Sequence, residues 1–372
     1  KGISRIEYAA PISFFDHRTG LPGMVMSIAR QNDILLVGTT SGLFYRVNRS
    51  AFEPVKAVRG NCWALLPLEN SLLAGTTGGV FRVYTDTAPD TTPDTARNTD
   101  GKNNIITMTA QSISPKTAYV LVRSRRNPEY VWAGSTRGLM AIRLHRDKKT
   151  TVFPVKPRTV TLTIRSLAED SEGGIWAGTL NSGVYHLAMP KAAMTRTPFS
   201  GDGGRKIFSP NGQESFAVET VKLYDDRDGL CTRGLMVQQA AGRVVFASLD
   251  GLFRFESAAK RFVPDNLLGK PFAGGGRGLF LLVDGPGRTI WFHSKSWNYR
   301  AAPGNDGTYK PDPGSFLPVP RAQVNVIVPM KDAAWLGGEN GLMFYRDESS
   351  KKKKKPVQPL IRQVTIDNKR II

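Results

Sequence analysis

Seven copies of one short pattern constrain the fold of this 372-residue chain more than any other feature. The best-preserved copies run through apolar residues, a small residue, Gly and Ser or Thr. A few polar residues follow, then a second Gly, an apolar residue and an aromatic one. The copies lie near residues 35–45, 72–82, 131–141, 175–186, 244–254, 290–300 and 334–345. Such a recurrence takes precedence over any domain number inferred from chain length.

Each copy is typical of a β-hairpin. The apolar run predicts a buried strand and the polar residues predict a turn. The second glycine, such as Gly42, gives the turn its backbone freedom, while the first, such as Gly38, lets neighbouring backbone approach closely. With one strand before and one after each hairpin, a copy forms a four-stranded blade. The sequence therefore predicts an all-β chain with a single seven-bladed β-propeller over residues 1–350.

The segments between and after the copies predict loops and a boundary. Residues 85–101, rich in Thr, Asp and Pro, and residues 190–215, rich in Gly and Pro, are predicted to be surface loops. Residues 351–359 are predicted to be a basic, Pro-containing linker. Residues 360–372 alternate like a strand and are expected to begin a further domain, which makes the chain a piece of something larger.

The sixth copy departs from the pattern. His293 replaces the first glycine, and Ser296 and Trp297 stand where Ser and Gly are expected. The geometry of its turn is therefore an open question. Two cysteines, Cys62 and Cys231, fall in different copies and are predicted to be free thiols.

A formal net charge of +20 favours anionic partners, without identifying a site. Five of these charges form the run 351–355, which is most simply a solvated linker. The others are scattered, with neither a basic helix nor a basic stripe interleaved with aromatic residues. Nucleic acid is therefore disfavoured as a partner. No apolar run approaches the length of a membrane helix, so a membrane would be reached only through segments outside this sequence.

The repeat resembles the two-component regulator propeller repeat. The resemblance rests on residues 168–179, which read as an acidic turn with Gly-Gly followed by Ile-Trp-Ala-Gly-Thr, and on two aromatic-x-x-x-x-Gly-Leu motifs at 15–21 and 224–230. It covers about residues 14–346. It implies the periplasmic sensor region of a receptor that drives a histidine kinase, a nucleotide cyclase or a DNA-binding output. It also implies a homodimer in the full receptor, and it makes 360–372 the first strand of a truncated triple-tyrosine-like β-sandwich.

The sequence offers no catalytic constellation, metal motif or cofactor fingerprint, so this segment is predicted not to be an enzyme. The run 274–278 is Gly-rich, but it opens a strand rather than a helix and is predicted to be a loop. The aspartates between 86 and 100 match no calcium loop.

A ligand site is predicted at one mouth of the central channel, where the loops leading into the innermost strands converge. Arginine pairs with carboxylate or sulfate and an aromatic ring stacks on a sugar face, so a small molecule or oligosaccharide, of anionic character, is the expected ligand. The candidate residues are Arg18, Trp63, Arg233, Arg277, Trp297 and Tyr299. The plainer alternative is core packing for the aromatic residues and solvation for the arginines. Two further functions stay open, a protein-interaction scaffold and a polysaccharide lyase.

Overall fold

The computed structural model describes residues 12–48, 50–89, 104–145, 149–156, 162–189, 207–208, 214–316, 319–346, 365–366 and 369–370. Within these ranges every helix is a single short 3-10 turn: His17–Thr19, Asp226–Asp228, Asn266–Leu268, Lys270–Phe272, Pro286–Arg288 and Gly314–Phe316. None of the helices in the described residues has the length and apolar character needed to span a bilayer.

The strands form seven four-stranded antiparallel blades, each ordered from the channel outwards. The first three are blade 1 (β2 Val25–Gln31, β3 Ile34–Thr39, β4 Gly42–Val47, β5 Glu53–Arg59), blade 2 (β6 Cys62–Pro67, β7 Leu72–Thr76, β8 Gly79–Pro89, β9 Asn104–Ser114) and blade 3 (β10 Val120–Arg123, β11 Tyr130–Ser135, β12 Gly138–Leu144, β13 Thr150–Lys156).

The remaining four blades follow the same plan. They are blade 4 (β14 Ile164–Glu169, β15 Ile175–Thr179, β16 Val184–Ala188, β19 Thr220–Tyr224), blade 5 (β20 Met236–Ala240, β21 Arg243–Ser248, β22 Gly251–Glu256, β23 Arg261–Pro264), blade 6 (β24 Leu281–Gly285, β25 Thr289–Ser294, β26 Trp297–Pro303, β27 Tyr309–Asp312) and blade 7 (β28 Val324–Pro329, β29 Ala333–Gly338, β30 Gly341–Arg346, β1 Ile12–Phe15).

The ring closes through the N-terminal strand. Strand β1 pairs antiparallel with β30, from Ile12 opposite Tyr345 to Phe15 opposite Leu342, and so supplies the outermost strand of blade 7. The innermost strand of every blade contacts that of the next, and β28 returns to contact β2. The seven-bladed propeller expected from the repeats is confirmed.

Hydrophobic clusters between the blades hold the ring together. The cluster between blades 4 and 5 is the most aromatic: Trp176, Phe246 and Phe262 are at most 4 % exposed. The rings of Phe246 and Phe262 meet edge to face with centroids 4.7 Å apart. Burying a side chain of this size contributes roughly 1.5–3 kcal/mol, and favourable ring geometry adds about 0.5–1.5 kcal/mol per pair.

Glycine recurs at two positions of the repeat for two different physical reasons, as expected. A Cβ on Gly38 would lie 2.6 Å from the carbonyl oxygen of Cys62, so the first glycine allows close approach between blades 1 and 2. The second glycine has positive φ, which is +98° at Gly183, where a Cβ would also collide with the carbonyl oxygen of Tyr224. Other residues would be strained there.

Parts of the two predicted loops are strands instead. Thr85–Pro89 continues β8 and pairs with β9 as far as Pro89 opposite Asn104, so the loop prediction is wrong there. The Thr109 hydroxyl donates to Asp86 Oδ2 at 2.8 Å, which joins the two strands beyond the blade. Residues 90–103 lie outside the described part of the chain.

Strand β17 (Ile207–Phe208) lies inside the second predicted loop, and β18 (Glu214–Ala217) begins within the last two residues of that loop. They pair with each other, and β18 adds in parallel to the outer strand of blade 3, with Val155 opposite Phe216. The loop prediction is therefore also wrong for residues 207–208 and 214–215, because an unpaired outer strand offers its backbone groups to any nearby segment. The predicted linker lies outside the described residues, and β31 (Thr365–Ile366) pairs with β32 (Lys369–Arg370).

Blade 6 makes its turn differently from the other blades. Ser294 pairs with Trp297 across a two-residue turn, and the left-handed conformation moves to Lys295, whose φ is +55°. The Ser294 hydroxyl donates to the carbonyl oxygen of Gly278 at 2.7 Å, which ties the turn to the loop before the blade. His293 occupies the place of the first glycine and is fully buried.

Candidate functional site

The innermost strands share an irregularity at the end where they begin. In blades 1, 2, 4 and 7 the register against the second strand shifts across one residue, which is left without a partner in the ladder: Met26, Trp63, Arg165 and Asn325. A β-bulge of this kind twists the strand and redirects the side chain. All four side chains are partly exposed.

Two further residues take the same place in blades 3 and 6. Tyr119 and Phe280 come directly before the innermost strand, and their backbone N–H groups donate to Gly134 and His293, at 2.9 and 3.4 Å. These residues of blades 3 and 6, with the four bulged residues, are named the mouth ring here: Met26, Trp63, Tyr119, Arg165, Phe280 and Asn325.

Contacts between the members place them at the central channel. The Asn325 side chain donates to the carbonyl oxygen of Val25 at 3.0 Å and lies 3.4 Å from the sulfur of Met26, which links blade 7 to blade 1. Trp63 of blade 2 contacts Arg165 of blade 4. Because these two blades are not neighbours in the ring, their side chains meet over the channel.

Arg165 is the charged centre of the mouth ring. Its guanidinium carbon lies 4.8 Å from the ring centroid of Trp63 and 4.2 Å from that of Tyr119. The two rings meet edge to face with centroids 5.5 Å apart. Each cation–π contact contributes about 0.5–2 kcal/mol, depending on how much water is excluded. The three side chains therefore form one aromatic and cationic cluster.

The cluster has unused hydrogen-bonding capacity. In the part of the chain that the structure describes, Arg165 forms no ion pair with a carboxylate, and the buried Nε1 of Trp63 has no hydrogen-bond partner. A half-buried guanidinium without a counter-ion attracts an anion, and it can pair bidentately with a carboxylate, sulfate or phosphate. The arrangement is therefore suited to binding an anion.

Trp63 is the one sequence-predicted residue in this cluster. Arg18 lies in the loop before blade 1, where it pairs with Asp16 of its own loop, Nη2 to Oδ2 at 2.7 Å. The hydrogen bond from Arg18 lowers the pKa of Asp16. Arg227 and Asp225 repeat this pair at 2.7 Å in the loop before blade 5, so both arginines stabilise a loop conformation.

The other four predicted residues have surroundings of their own. Arg233 is exposed, and Arg277 is exposed with its guanidinium carbon 5.9 Å from the Phe272 ring. Trp297 is half-buried, and the guanidinium carbon of Arg321 lies 3.9 Å from its ring centroid. Tyr299 is 7 % exposed and belongs to a hydrophobic cluster. Ligand binding by the six residues stays a prediction.

Sequence reasoning missed Tyr119 and Arg165. One signal was available: in blades 1, 2 and 7 the mouth-ring residue stands the same number of positions before the first glycine of the repeat, as Met26 does before Gly38 and Trp63 before Gly75. Blade 4 adds one residue in this interval. When the repeats are aligned on their first glycines, the position that corresponds to Met26 and Trp63 in blade 4 is Arg165.

The opposite face carries a different polar cluster. Asp170 Oδ2 accepts from Trp176 Nε1 and lies 3.0 Å from His186 Nε2, while its Oδ1 accepts from the N–H of Gly174 at 2.8 Å. Burial raises the pKa of Asp170, but the hydrogen bonds from His186 and Gly174 outweigh it and the net pKa is lowered. The cluster fixes a turn of blade 4. No group of three or more metal-ligating side chains occurs among the described residues.

Comparisons with solved structures agree with the fold. The extracellular domain of a protein assigned to a hybrid two-component system of B. thetaiotaomicron superposes with a TM-score of 0.57 at 16% identity, over 88% of this chain and 39% of that one. A second such domain from the same organism gives 0.51 at 13% identity, over 87% and 38%. The chain thus spans about two fifths of these neighbours. Virginiamycin B lyase from Staphylococcus aureus gives 0.50 at 10% identity, over 86% and 94%.

At these identities the likeness shows a shared propeller fold. No protein-family model matches the chain, and no curated protein matches it in sequence. Function therefore has to be argued from the mouth ring itself.

Proposed function

We propose that this chain is an extracytoplasmic ligand-sensing domain of a signal-transduction receptor. It binds a small anionic ligand, such as an acidic saccharide, at the mouth ring. The observation that carries the proposal is the half-buried guanidinium of Arg165, which lies against Trp63 and Tyr119 and forms no ion pair in the described residues. The two hybrid two-component neighbours support the sensing role.

The ligand is expected to meet the two parts of the cluster differently. Its oxyanion pairs with the Arg165 guanidinium, and its apolar or sugar face lies against the exposed part of Trp63 or Tyr119. Binding is then relayed to an output domain outside this sequence, a histidine kinase or a cyclase. In this proposal the receptor is a dimer, and the ligand-sensing domain is on its periplasmic side. The proposal gives this segment no catalytic role.

Two alternatives have weaker support. A protein-interaction scaffold does not require an uncompensated arginine among aromatic residues at the channel. A polysaccharide lyase needs an acid and a base close to the substrate, and the mouth ring contains neither a carboxylate nor an imidazole.

Thermal unfolding against a panel of neutral and acidic oligosaccharides, in roughly 0.05 and 0.15 M salt, tests the proposal. A ligand at one hundred times its Kd stabilises the fold by about 2.7 kcal/mol. Arg165→Met should abolish the shift, and Arg165→Lys should weaken it, because lysine keeps the charge but loses the planar donor fork. Arg261→Ala, which removes an exposed arginine from the outermost strand of blade 5, should leave the shift intact. A shift that survives Arg165→Met would overturn the proposal.

A further inference from the structure

A second cationic depression lies on the face opposite the mouth ring. It is an open groove of about 410 Å³ between blades 2 and 3. Its walls are the turns that join the first and second strands of these blades, at 68–71 and 124–129. The residues that carry its chemistry, together named the basic groove here, are Arg82, Tyr84, Arg123, Arg126, Asn127 and His145.

Arg82 is held rigidly in the wall of the groove. The residue is 8 % exposed. Its Nε donates to the Ser71 hydroxyl at 3.0 Å, and its Nη1 donates to the Thr150 hydroxyl at 3.2 Å. Its guanidinium carbon lies 5.5 Å from the ring centroid of Tyr84. These contacts with neutral groups fix the orientation of the guanidinium before any ligand arrives.

Arg123 ends β10, Arg126 lies on the turn that follows it, and both keep most of their donors available. Arg123 Nε donates to the carbonyl oxygen of Pro128 at 2.9 Å, and Arg126 Nη2 donates to that of Ser171 at 2.7 Å. Each contact uses one of the five N–H groups of a guanidinium. Over the ranges that the structure describes, neither arginine forms an ion pair.

The turn that follows Arg123 and carries Arg126 is itself well anchored. The Ser124 hydroxyl donates to Oε1 of Glu169 at 3.0 Å and accepts from the N–H of Asn127 at 3.1 Å. The N–H of Arg125 donates to Oε2 of Glu169 at 2.6 Å. Glu169 is 2 % exposed, so the turn is held by hydrogen bonds to a buried carboxylate.

The groove has more positive than negative charge. Among the described residues, two carboxylates line it, Glu69 and Glu129, and Glu129 lies 3.6 Å from Arg143, which is outside the lining. The three arginines of the groove therefore outnumber these two carboxylates, one of which already has Arg143 beside it. A fixed guanidinium, two more with donors to spare and an adjacent aromatic ring suit an oxyanion attached to a larger body.

We propose that the basic groove is a second binding site, which takes a ligand bearing carboxylate, sulfate or phosphate groups. Its volume is that of a small-molecule pocket. The site lies on the face opposite Arg165 and does not depend on the mouth ring, so the two sites can be tested separately.

Calorimetric titration in the Arg165→Met background, at roughly 0.15 M salt, isolates the groove. The probes are inorganic sulfate, inorganic phosphate and a galacturonate trisaccharide. Saturable binding of at least one probe is expected. The double variant Arg123→Ala/Arg126→Ala should weaken it at least tenfold, and Arg137→Ala/Arg261→Ala, which removes the same charge from exposed sites elsewhere, should change it less than threefold.

The pattern of probes identifies the source of the oxyanion. Binding of the inorganic ions assigns a simple oxyanion site, and binding of the trisaccharide alone assigns an acidic saccharide. The proposal is overturned if no probe binds saturably, or if both double variants lose the same affinity. Amide hydrogen exchange gives a second readout, with increased protection expected in residues 124–129 of the Arg165→Met protein.

Discussion

His293 gives the sharpest prediction about stability. It is fully buried, and its Nδ1 lies 3.0 Å from Asn298 Oδ1, which accepts the hydrogen bond. Its Nε2 is buried without a hydrogen-bond partner in the described residues. Burial lowers the pKa of this imidazole below its ordinary 6.5, although bonding to Asn298 and to the Lys295 backbone opposes the shift. The folded protein therefore holds a neutral histidine where the unfolded chain would take up a proton.

The sign and size of the effect follow from proton linkage. The unfolded state binds the proton near pH 6.5 and the folded state binds it only at lower pH. The stability contributed by a neutral His293 is therefore complete above pH 6.5 and falls as the pH drops towards the folded pKa. In that window the free energy of unfolding falls by at most about 1.4 kcal/mol per pH unit, the limit for one proton.

Urea unfolding of the wild type and His293→Gln at about pH 7.5, 6.5 and 5.5 measures the effect. Glutamine does not titrate, so the wild type should lose stability relative to the variant between the highest and lowest pH, by at most about 1.4 kcal/mol, whatever the substitution costs at neutral pH. His17→Gln, at an exposed site, should keep the wild-type dependence. Parallel pH profiles for the wild type and His293→Gln would refute a buried neutral histidine.

Three further predictions test the packing. Phe262→Ala should lower the free energy of unfolding by about 3–5 kcal/mol, and Phe14→Ala, whose ring is 44 % exposed, by less than about 1 kcal/mol, in paired urea titrations. Gly183→Ala, at φ +98°, should cost more than about 1 kcal/mol by the same measurement, and an unchanged midpoint would contradict the strain argument. Asp170→Asn should lower the free energy of unfolding at neutral pH, and its difference from the wild type should shrink on acidification. The reason is that the pKa of Asp170 is lowered in the folded protein. Such a carboxylate stabilises the fold above its unfolded pKa of about 3.9 and loses this effect as the pH falls through its folded pKa.

The sequence predicted the ring well because each blade repeats the same local reasons for its shape. Gly38 and its equivalents lie where neighbouring backbone approaches, and Gly183 lies where φ is positive. Such requirements are imposed by a residue's immediate surroundings, so they recur and can be recognised from one sequence. The closing strand β1 is different, because its pairing with β30 joins the two ends of the propeller.

The mouth ring was harder to predict because it depends on bulges. A one-residue shift of register changes the direction of a side chain, and composition does not reveal where the shift occurs. Arg165 therefore looks like any polar residue at a strand start until its partners from blades 2 and 3 are seen. Arg18 shows the reverse case: a loop arginine with the right chemistry is held by Asp16, two residues before it.

The most direct test of the mouth ring is a crystal structure with the acidic ligand that gives the largest salt-resistant thermal shift. The proposal predicts an oxyanion of that ligand within about 3 Å of the Arg165 guanidinium nitrogens, with the rest of the ligand against Trp63 or Tyr119. A ligand bound elsewhere on the ring, with Arg165 in contact only with its two aromatic neighbours, would contradict it.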